Sequence, residues 1–237
     1  MFKATLTYDG TRYFGWQKTA SGPSIQEEIE KAIARVTQER VLPEAASRTD
    51  RGVHATGQVV QFALEGEVDL PQLLRGLNAV LPPDIRVLEI VPCNFHPTLD
   101  AIGKEYRYQL SLTPVQDPTI RLYSWHIPYP LHCANIELAA KDLLGSHDFS
   151  AFAGEPAKDP ICTIESIVFK DGCFHIKGDR FLYKMVRNLV GTLVSVGCGK
   201  ISPDAMPHIL QSKDRKRAGV TAPAHGLHLH QVFYLVK

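Results

Sequence analysis

The sequence predicts an α+β fold: two related α/β sandwich domains with mainly antiparallel sheets. Three observations lead there. Stretches that alternate apolar and polar residues recur between stretches with helical periodicity, in the order strand, helix, two strands, helix, strands. The second half of the chain has a similar rhythm without repeating residues. The 237 residues, 44% hydrophobic and 22% charged, can bury either one large core or two modest ones.

The elements follow in order. Phe2, Ala4 and Leu6 alternate with Lys3, Thr5 and Thr7, a strand over Phe2–Tyr8. The loop Asp9–Gln17 holds two glycines and three aromatics, and reads as either a packed plug or a binding surface. Pro23-Ser24 opens a helix. Ser24 and Glu27 fit a capping box, in which each side chain satisfies the other's backbone amide. Ile25, Ile29, Ala32, Ile33 and Val36 form its apolar face. Strands near Val41–Ala46 and Gln58–Leu64 flank the segment Ser47–Val53. A helix over Pro71–Val80 is stopped by Leu81-Pro82-Pro83-Asp84. Strands at Ile85–Val91 and Lys104–Leu112 complete the first half.

Thr113–Pro118, with two prolines and an aspartate, reads as a linker between domains spanning 1–112 and 113–237. Beyond it, a helix is expected over Asn135–Leu144 with Gly145 as its cap. Ile164–Lys170 and Cys173–Gly178 flank Asp171-Gly172, a hairpin signal. A long helix over Phe181–Val196 carries Val186, Leu189, Val190, Leu193 and Val194 on one face. A short helix at Pro203–Leu210 and a strand at Leu229–Val236 end the chain.

Several classes are disfavoured. Met1–Leu6 enters a strand pattern directly, so no signal peptide is expected. No run of about 18 apolar residues suggests a membrane span. Cys93, Cys133, Cys162, Cys173 and Cys198 are odd in number and scattered, without a C-x-x-C pair, which argues against a disulfide scaffold or structural zinc. A cytoplasmic protein with free thiols is the expectation. The net charge of +1 announces no polyanion partner. Basic residues nonetheless gather at Arg48 and Arg51, at Lys104 and Arg107, at Lys184 and Arg187, and over Lys213–Arg217. Such clusters either bind phosphates locally or are solvated surface.

Arg48-Thr49-Asp50-Arg51-Gly52-Val53 is the most informative stretch. A carboxylate between two arginines, on a loop between strands, is expected to be held ionised by the neighbouring positive charge. The pattern alone favours a structural ion pair at a turn over catalysis. His228-x-His230 has no third ligand nearby and reads as sheet histidines rather than a metal site. His54 is expected to hydrogen-bond within its loop. Gly191, Gly197 and Gly199 follow no strand and make no dinucleotide fingerprint.

The Arg48–Ala55 stretch resembles the catalytic-aspartate motif of the tRNA pseudouridine synthase A family. Tyr8-Asp9-Gly10-Thr11 with Gly15-Trp16-Gln17 is similar to that family's amino-terminal signature. Lys104-Glu105-Tyr106-Arg107-Tyr108 resembles its tyrosine strand, and Phe181–Gly191 its helix bearing the active-site arginine. Ala222–Leu227 matches its carboxyl-terminal loop more loosely. Ser47 stands where the family usually has glycine, Arg51 where it has a small residue, and Ala224-His225 where a second proline and an acidic residue are common.

The resemblance implies that Asp50 attacks the ribose anomeric carbon or otherwise assists glycosidic cleavage, and that Arg187 pairs with Asp50 and keeps it charged. It implies that Tyr106 stacks on the target base with its hydroxyl available for proton transfer, and that Arg48 fills the gap left by a flipped uridine. The implied reaction is isomerisation of uridine to pseudouridine at tRNA positions 38, 39 and 40 of the anticodon stem-loop. It would be run by a homodimer without cofactor or metal, in a basic cleft with Asp50 in its floor. Two other classes compete. A non-catalytic RNA-binding module would use the same basic and aromatic residues. An aspartate-nucleophile hydrolase or phosphotransferase would want a second acid or a magnesium-binding cluster, which does not accompany Asp50.

Overall fold

In a computed structural model, which describes residues 1–235, the alternating stretch Phe2–Tyr8 forms β1 and buries Ala4, Leu6 and Tyr8. Helix α1 (Ile25–Thr37) follows with Ile25, Ile29, Ala32 and Ile33 buried. Half of the expected capping box forms: the Glu27 amide donates to Ser24 Oγ at 3.3 Å. The Glu27 carboxylate turns instead to Lys31, 2.9 Å away.

Strand β2 shrinks to Glu44–Ala45, because Pro43 lacks a ladder donor and Leu42 is 77% exposed. Strand β3 (His54–Phe62) starts four residues before the sequence pattern places it. Tertiary pairing extends it through His54–Gly57, where Ala55 and Gly57 have low strand preference. Helix α2 (Leu70–Val80) is capped by Asp69, which accepts the Gln72 amide at 2.9 Å. Strand β4 spans Ile85–Pro92 and β10 spans Leu227–Tyr234. Val236, the end of the expected last strand, lies outside the described residues. These strands make a sheet in the order β4-β1-β3-β10, with β2 also on β3. Its ladders are antiparallel except β10 on β3, where His228 faces His54 and Leu229 faces Ala55.

Strand β5 (Ala101–Ser111) leads to β6 (Trp125–His126), α3 (Cys133–Lys141) and β7 (Gly145–Asp148). The expected helix over Asn135–Leu144 is therefore shifted. It is capped at Asp142, and Gly145, at φ +93°, opens β7 instead of closing α3. Strands β8 (Ile161–Lys170) and β9 (Cys173–Gly178) form the predicted hairpin. Asp171 and Gly172, at φ +51° and +74°, both adopt the left-handed region that a type I′ turn demands. The sheet order is β5-β9-β8-β7, antiparallel throughout, with β6 parallel on β5.

Helix α4 (Met185–Gly197) begins four residues after the expected Phe181. Lys184 takes φ +57°, the Tyr183 carbonyl accepts the Gly154 amide at 2.7 Å, and Phe181 is drawn onto β5. A 3₁₀ turn at Pro203–Ala205 and helix α5 (Met206–Ser212) replace the single helix expected at Pro203–Leu210. The architecture is α+β with a mostly antiparallel, mixed sheet. Two compact units result: Met1–Ile102 with the described residues from His228 to Leu235, and Gly103–Leu227. The last strand thus belongs to the first unit.

Candidate active site

The loop bearing Asp50 is held from below by buried groups of the first unit. Tyr8, at the end of β1, places its hydroxyl 2.8 Å from Thr49 Oγ1. Gln58, fully buried on β3, donates from Nε2 to the Ser47 carbonyl at 2.7 Å and to the Tyr8 hydroxyl at 3.3 Å. Its Oε1 accepts the Ser47 amide at 3.3 Å. The Trp16 amide donates to the Thr49 carbonyl at 3.0 Å, the Gly52 amide to the Tyr13 carbonyl at 3.3 Å, and the Val53 amide to the Asp50 carbonyl at 3.1 Å. The aromatic loop is therefore the packed plug of the two alternatives: Tyr13 and Trp16 are both buried. Gly15, at φ +97°, presses against this backbone, and a Cβ there would stand 2.6 Å from the Thr49 carbonyl oxygen.

Asp50 is half-buried at the tip, between the exposed Arg48 and Arg51. The expected electrostatic clamp from these two arginines does not form. Arg51 swings its guanidinium over the Phe14 ring, 4.1 Å from the centroid, a cation–π contact. Arg48 makes no ion pair with a described carboxylate, which leaves its guanidinium presented to solvent. His54, expected to hydrogen-bond within its own loop, is buried at the start of β3 and meets the Asp9–Gln17 loop instead: its Nδ1 accepts the Gly10 amide at 3.0 Å and lies 3.2 Å from Asp9 Oδ1. Its ring stacks on His228 at 4.7 Å, while His230 Nδ1 lies 3.0 Å from Thr56 Oγ1. The two β10 histidines thus make sheet contacts, and no group of three or more His, Cys, Asp or Glu among the described residues is arranged to hold a metal.

The second unit carries Tyr106 and Arg187. Tyr106 is buried on β5, opposite Ile176, with its ring edge-on to Phe181 at 5.2 Å and 86°. Strand alternation puts Lys104, Tyr106 and Tyr108 on one face. On the other face Arg107 Nε donates to Glu105 Oε1 at 3.0 Å, so this member of the basic clusters is neutralised. Lys104 has no such partner, and burial alone pushes its ammonium pKa down from 10.5.

Arg187 sits in the first turn of α4, half-buried, beside the buried stripe Val186, Leu189, Val190, Leu193 and Val194. Its Nε donates to the Ala222 carbonyl at 2.8 Å, and the Ala222 amide returns a bond to the Arg187 carbonyl at 3.1 Å. That contact uses the inner edge of the guanidinium and leaves the two Nη groups to other partners. Next along the loop, the Pro223 carbonyl accepts from the Tyr108 hydroxyl at 2.8 Å. Burial holds the Tyr108 phenol well above the usual tyrosine range, with Arg187 opposing. Burial also pushes His225 below 6.5; a hydrogen bond with the Ser124 backbone resists this and the positive charge of Arg187 adds to it. His225, one of the departures from the family pattern, is thus biased toward neutrality beside a permanent cation.

The basic run at Lys213–Arg217 divides. Lys213 pairs with Asp148 at 2.7 Å, Arg215 is half-buried and bonded within the protein, and Lys216 and Arg217 remain exposed. The residues that brace the site, Gln58 on β3 and Asn188 on α4, carry a signal that sequence reading passed over. Each is a fully buried carboxamide, next to Val59 and Val60 in one case and Leu189 and Val190 in the other, which is costly unless its donors and acceptors are all used.

Comparison with known proteins places this geometry. A family model for tRNA pseudouridine synthase matches residues 4–97 and 139–235, which takes in the Asp50 loop in its first segment and Arg187 in its second. The chain is 46% identical to tRNA pseudouridine synthase A 2 of Protochlamydia amoebophila (strain UWE25), over 98% of this chain and 93% of that protein. It is 43% identical to tRNA pseudouridine synthase A of Acetivibrio thermocellus, over 98% of each chain, and 40% identical to that of Methylacidiphilum infernorum, over 98% and 95%. With identity of this level sustained from end to end on both sides of the comparison, the chain belongs to the tRNA pseudouridine synthase family, a family of isomerases acting on tRNA.

Proposed function

We propose that this protein isomerises uridine to pseudouridine at positions 38, 39 and 40 of the tRNA anticodon stem-loop. Asp50 is the catalytic carboxylate. It attacks the ribose anomeric carbon or otherwise assists breakage of the bond from C1′ to uracil N1. Uracil then rotates, a bond forms from C1′ to C5, the C5 proton departs and N1 gains one. Atoms and electrons balance within the substrate, so no redox partner or nucleotide cofactor enters. Arg187 pairs with Asp50 and keeps it ionised. Tyr106 supports the flipped base and offers its hydroxyl for proton transfer, and Arg48 occupies the space vacated in the RNA stack.

The observation that carries this reading is the anchoring of the Asp50 loop. Thr49 and Ser47 are fixed by buried Tyr8 and Gln58, while Asp50 itself stays half-exposed at the tip. A loop held this tightly around one accessible carboxylate suits chemistry at a fixed point. By resemblance, the reading extends to related sandwiches flanking a basic cleft, the first unit supplying the aspartate loop and the second the arginine helix. A homodimer working in the cytoplasm completes it. No helix among the described residues is long and apolar enough to cross a membrane. Nothing observed favours a non-catalytic RNA-binding module.

The test is tritium release from tRNA labelled at uridine C5. The parent protein should release label stoichiometrically from the three positions, and Asp50→Asn should bind tRNA but release none. Release by Asp50→Asn at the parent rate, or none by the parent, overturns the assignment. Turnover should also survive exhaustive chelation, provided the tRNA stays folded; restoration by one divalent ion after loss under EDTA would refute the metal-free mechanism.

A further inference from the structure

We propose that Arg215 is a positioning residue for Arg187, acting through the loop 218–222. The inference rests on the active-site role given to Arg187 above. It departs from both readings of the Lys213–Arg217 run, phosphate binding and solvated surface charge, since the Arg215 guanidinium is spent inside the protein. Nη1 donates to the Gly219 carbonyl at 2.8 Å, and Nη2 donates to both Asn188 Oδ1 and Thr221 Oγ1 at 2.9 Å. The Thr221 hydroxyl in turn donates to Asn188 Oδ1 at 2.7 Å, and Asn188 Nδ2 anchors on the Phe152 carbonyl at 2.7 Å. Every acceptor that Arg215 uses is a neutral oxygen, and burial pushes its pKa below the usual arginine range. A guanidinium kept half-buried without a carboxylate contributes little as a charge, but its planar fork fixes Gly219, Asn188 and Thr221 in one geometry.

The geometry fixed is that of Arg187. Asn188 follows Arg187 on α4, and Ala222 follows Thr221 on the loop, so the clamp grips each chain one residue from the reciprocal Arg187–Ala222 bonds. The loop lies flush on the helix. A Cβ on Gly191 would stand 1.7 Å from the Val220 carbonyl oxygen, and the Gly219 amide donates to the fully buried Thr192 Oγ1 at 2.9 Å. With Arg215 in place, the Ala222 carbonyl is held where it accepts from Arg187 Nε, and that bond aims the outer face of the Arg187 guanidinium.

The experiment compares Arg215→Lys, Arg215→Gln, Thr221→Val and Thr221→Ser with the parent and Arg187→Ala. It measures single-turnover rate at saturating enzyme, tRNA affinity over a salt series, and melting temperature. Arg215→Lys keeps the charge and loses the fork. Arg215→Gln loses both, and Thr221→Val removes only the hydroxyl bridge at constant shape. All three should slow the single turnover about tenfold or more, within the roughly 10²-fold that a misplacement of about 1 Å can cost. Affinity and salt slope should stay at the parent's values. Thr221→Ser, which restores the hydroxyl, should turn over like the parent, an outcome that a packing role for Thr221 would not give.

Parent-like turnover by Thr221→Val and Arg215→Gln overturns the clamp, as does a reduced salt slope with intact turnover, which would make Arg215 a phosphate contact. If the Arg215 variants fail to fold, the Thr221 pair alone decides. If Arg187→Ala itself turns over at the parent rate, the role of Arg187 has failed rather than the clamp.

Discussion

Lys104 stands on the same face of β5 as Tyr106, half-buried, with no described carboxylate within ion-pair distance. Its charge is a liability to the free protein and an asset only when an anion arrives. Lys104→Met keeps most of the apolar stem and removes the ammonium. A desolvated polar group without a partner costs about 1–3 kcal/mol in proteins, and partial exposure places Lys104 at the low end, about 1 kcal/mol. For a chain of this length that corresponds to a rise in Tm of about 2–4 °C.

The sign depends on pH. Burial lowers the folded pKa beneath 10.5, so the destabilisation is full below that lowered value and fades as pH climbs toward 10.5, where the variant's advantage should vanish. With tRNA the order reverses. Loss of one phosphate contact should cut the log–log salt slope by about 0.7–0.9, so a salt increase from about 50 to 200 mM costs the parent roughly threefold more affinity than the variant. Thermal denaturation of the free protein and filter binding over a salt series give both readouts. A fall in Tm with an unchanged slope would show that Lys104 serves as a packed stem, and would refute the reasoning.

Other expectations test neighbouring residues. Tyr106→Phe keeps the ring and should bind tRNA normally while losing about 10²–10⁴-fold in single-turnover rate; Tyr106→Leu should also hold the substrate less well, by about 1–3 kcal/mol. Near-normal turnover by Tyr106→Phe would leave only the stacking role. Gly15→Ala places a methyl group 2.6 Å from the Thr49 carbonyl oxygen at φ +97°, so it should lower stability by about 1–3 kcal/mol and impair turnover with it. A variant melting and turning over like the parent would show that the Asp50 loop yields freely. His225, with a folded pKa below 6.5, binds its proton less readily than the unfolded chain does. Its contribution to stability is present above 6.5 and is lost as pH falls toward the lower folded value. His225→Asn should flatten that acid slope in calorimetry, and an unchanged slope would contradict the burial of the imidazole.

Much of this protein is determined by its sequence through local rules. The β8–β9 hairpin follows from Asp171-Gly172, because few other pairs tolerate two consecutive positive φ angles. Helices α1 and α2 follow from apolar spacing and from Ser24 and Asp69 at their starts. The family is legible in Arg48–Ala55 and Phe181–Gly191, whose residues resemble its motifs in order and spacing.

Only the tertiary structure decided the rest. Strand β3 begins at His54 because β1 and β10 supply ladder partners to a stretch in which Ala55 and Gly57 have weak strand preference of their own. Helix α4 starts late: Phe181 packs edge-on against Tyr106 outside the helix, and Lys184 takes a left-handed conformation at the helix start. The arginines beside Asp50 in the sequence do not clamp it: adjacent side chains on a tight loop diverge, and Arg51 finds the Phe14 ring instead. Arg215, which in sequence belongs to a charge run, is half-buried and bonded to the loop that folds back on α4. Sequence carries the identity of each donor and acceptor, but which of them meet depends on chain segments tens of residues apart, and that pairing exists only once the core has closed around it.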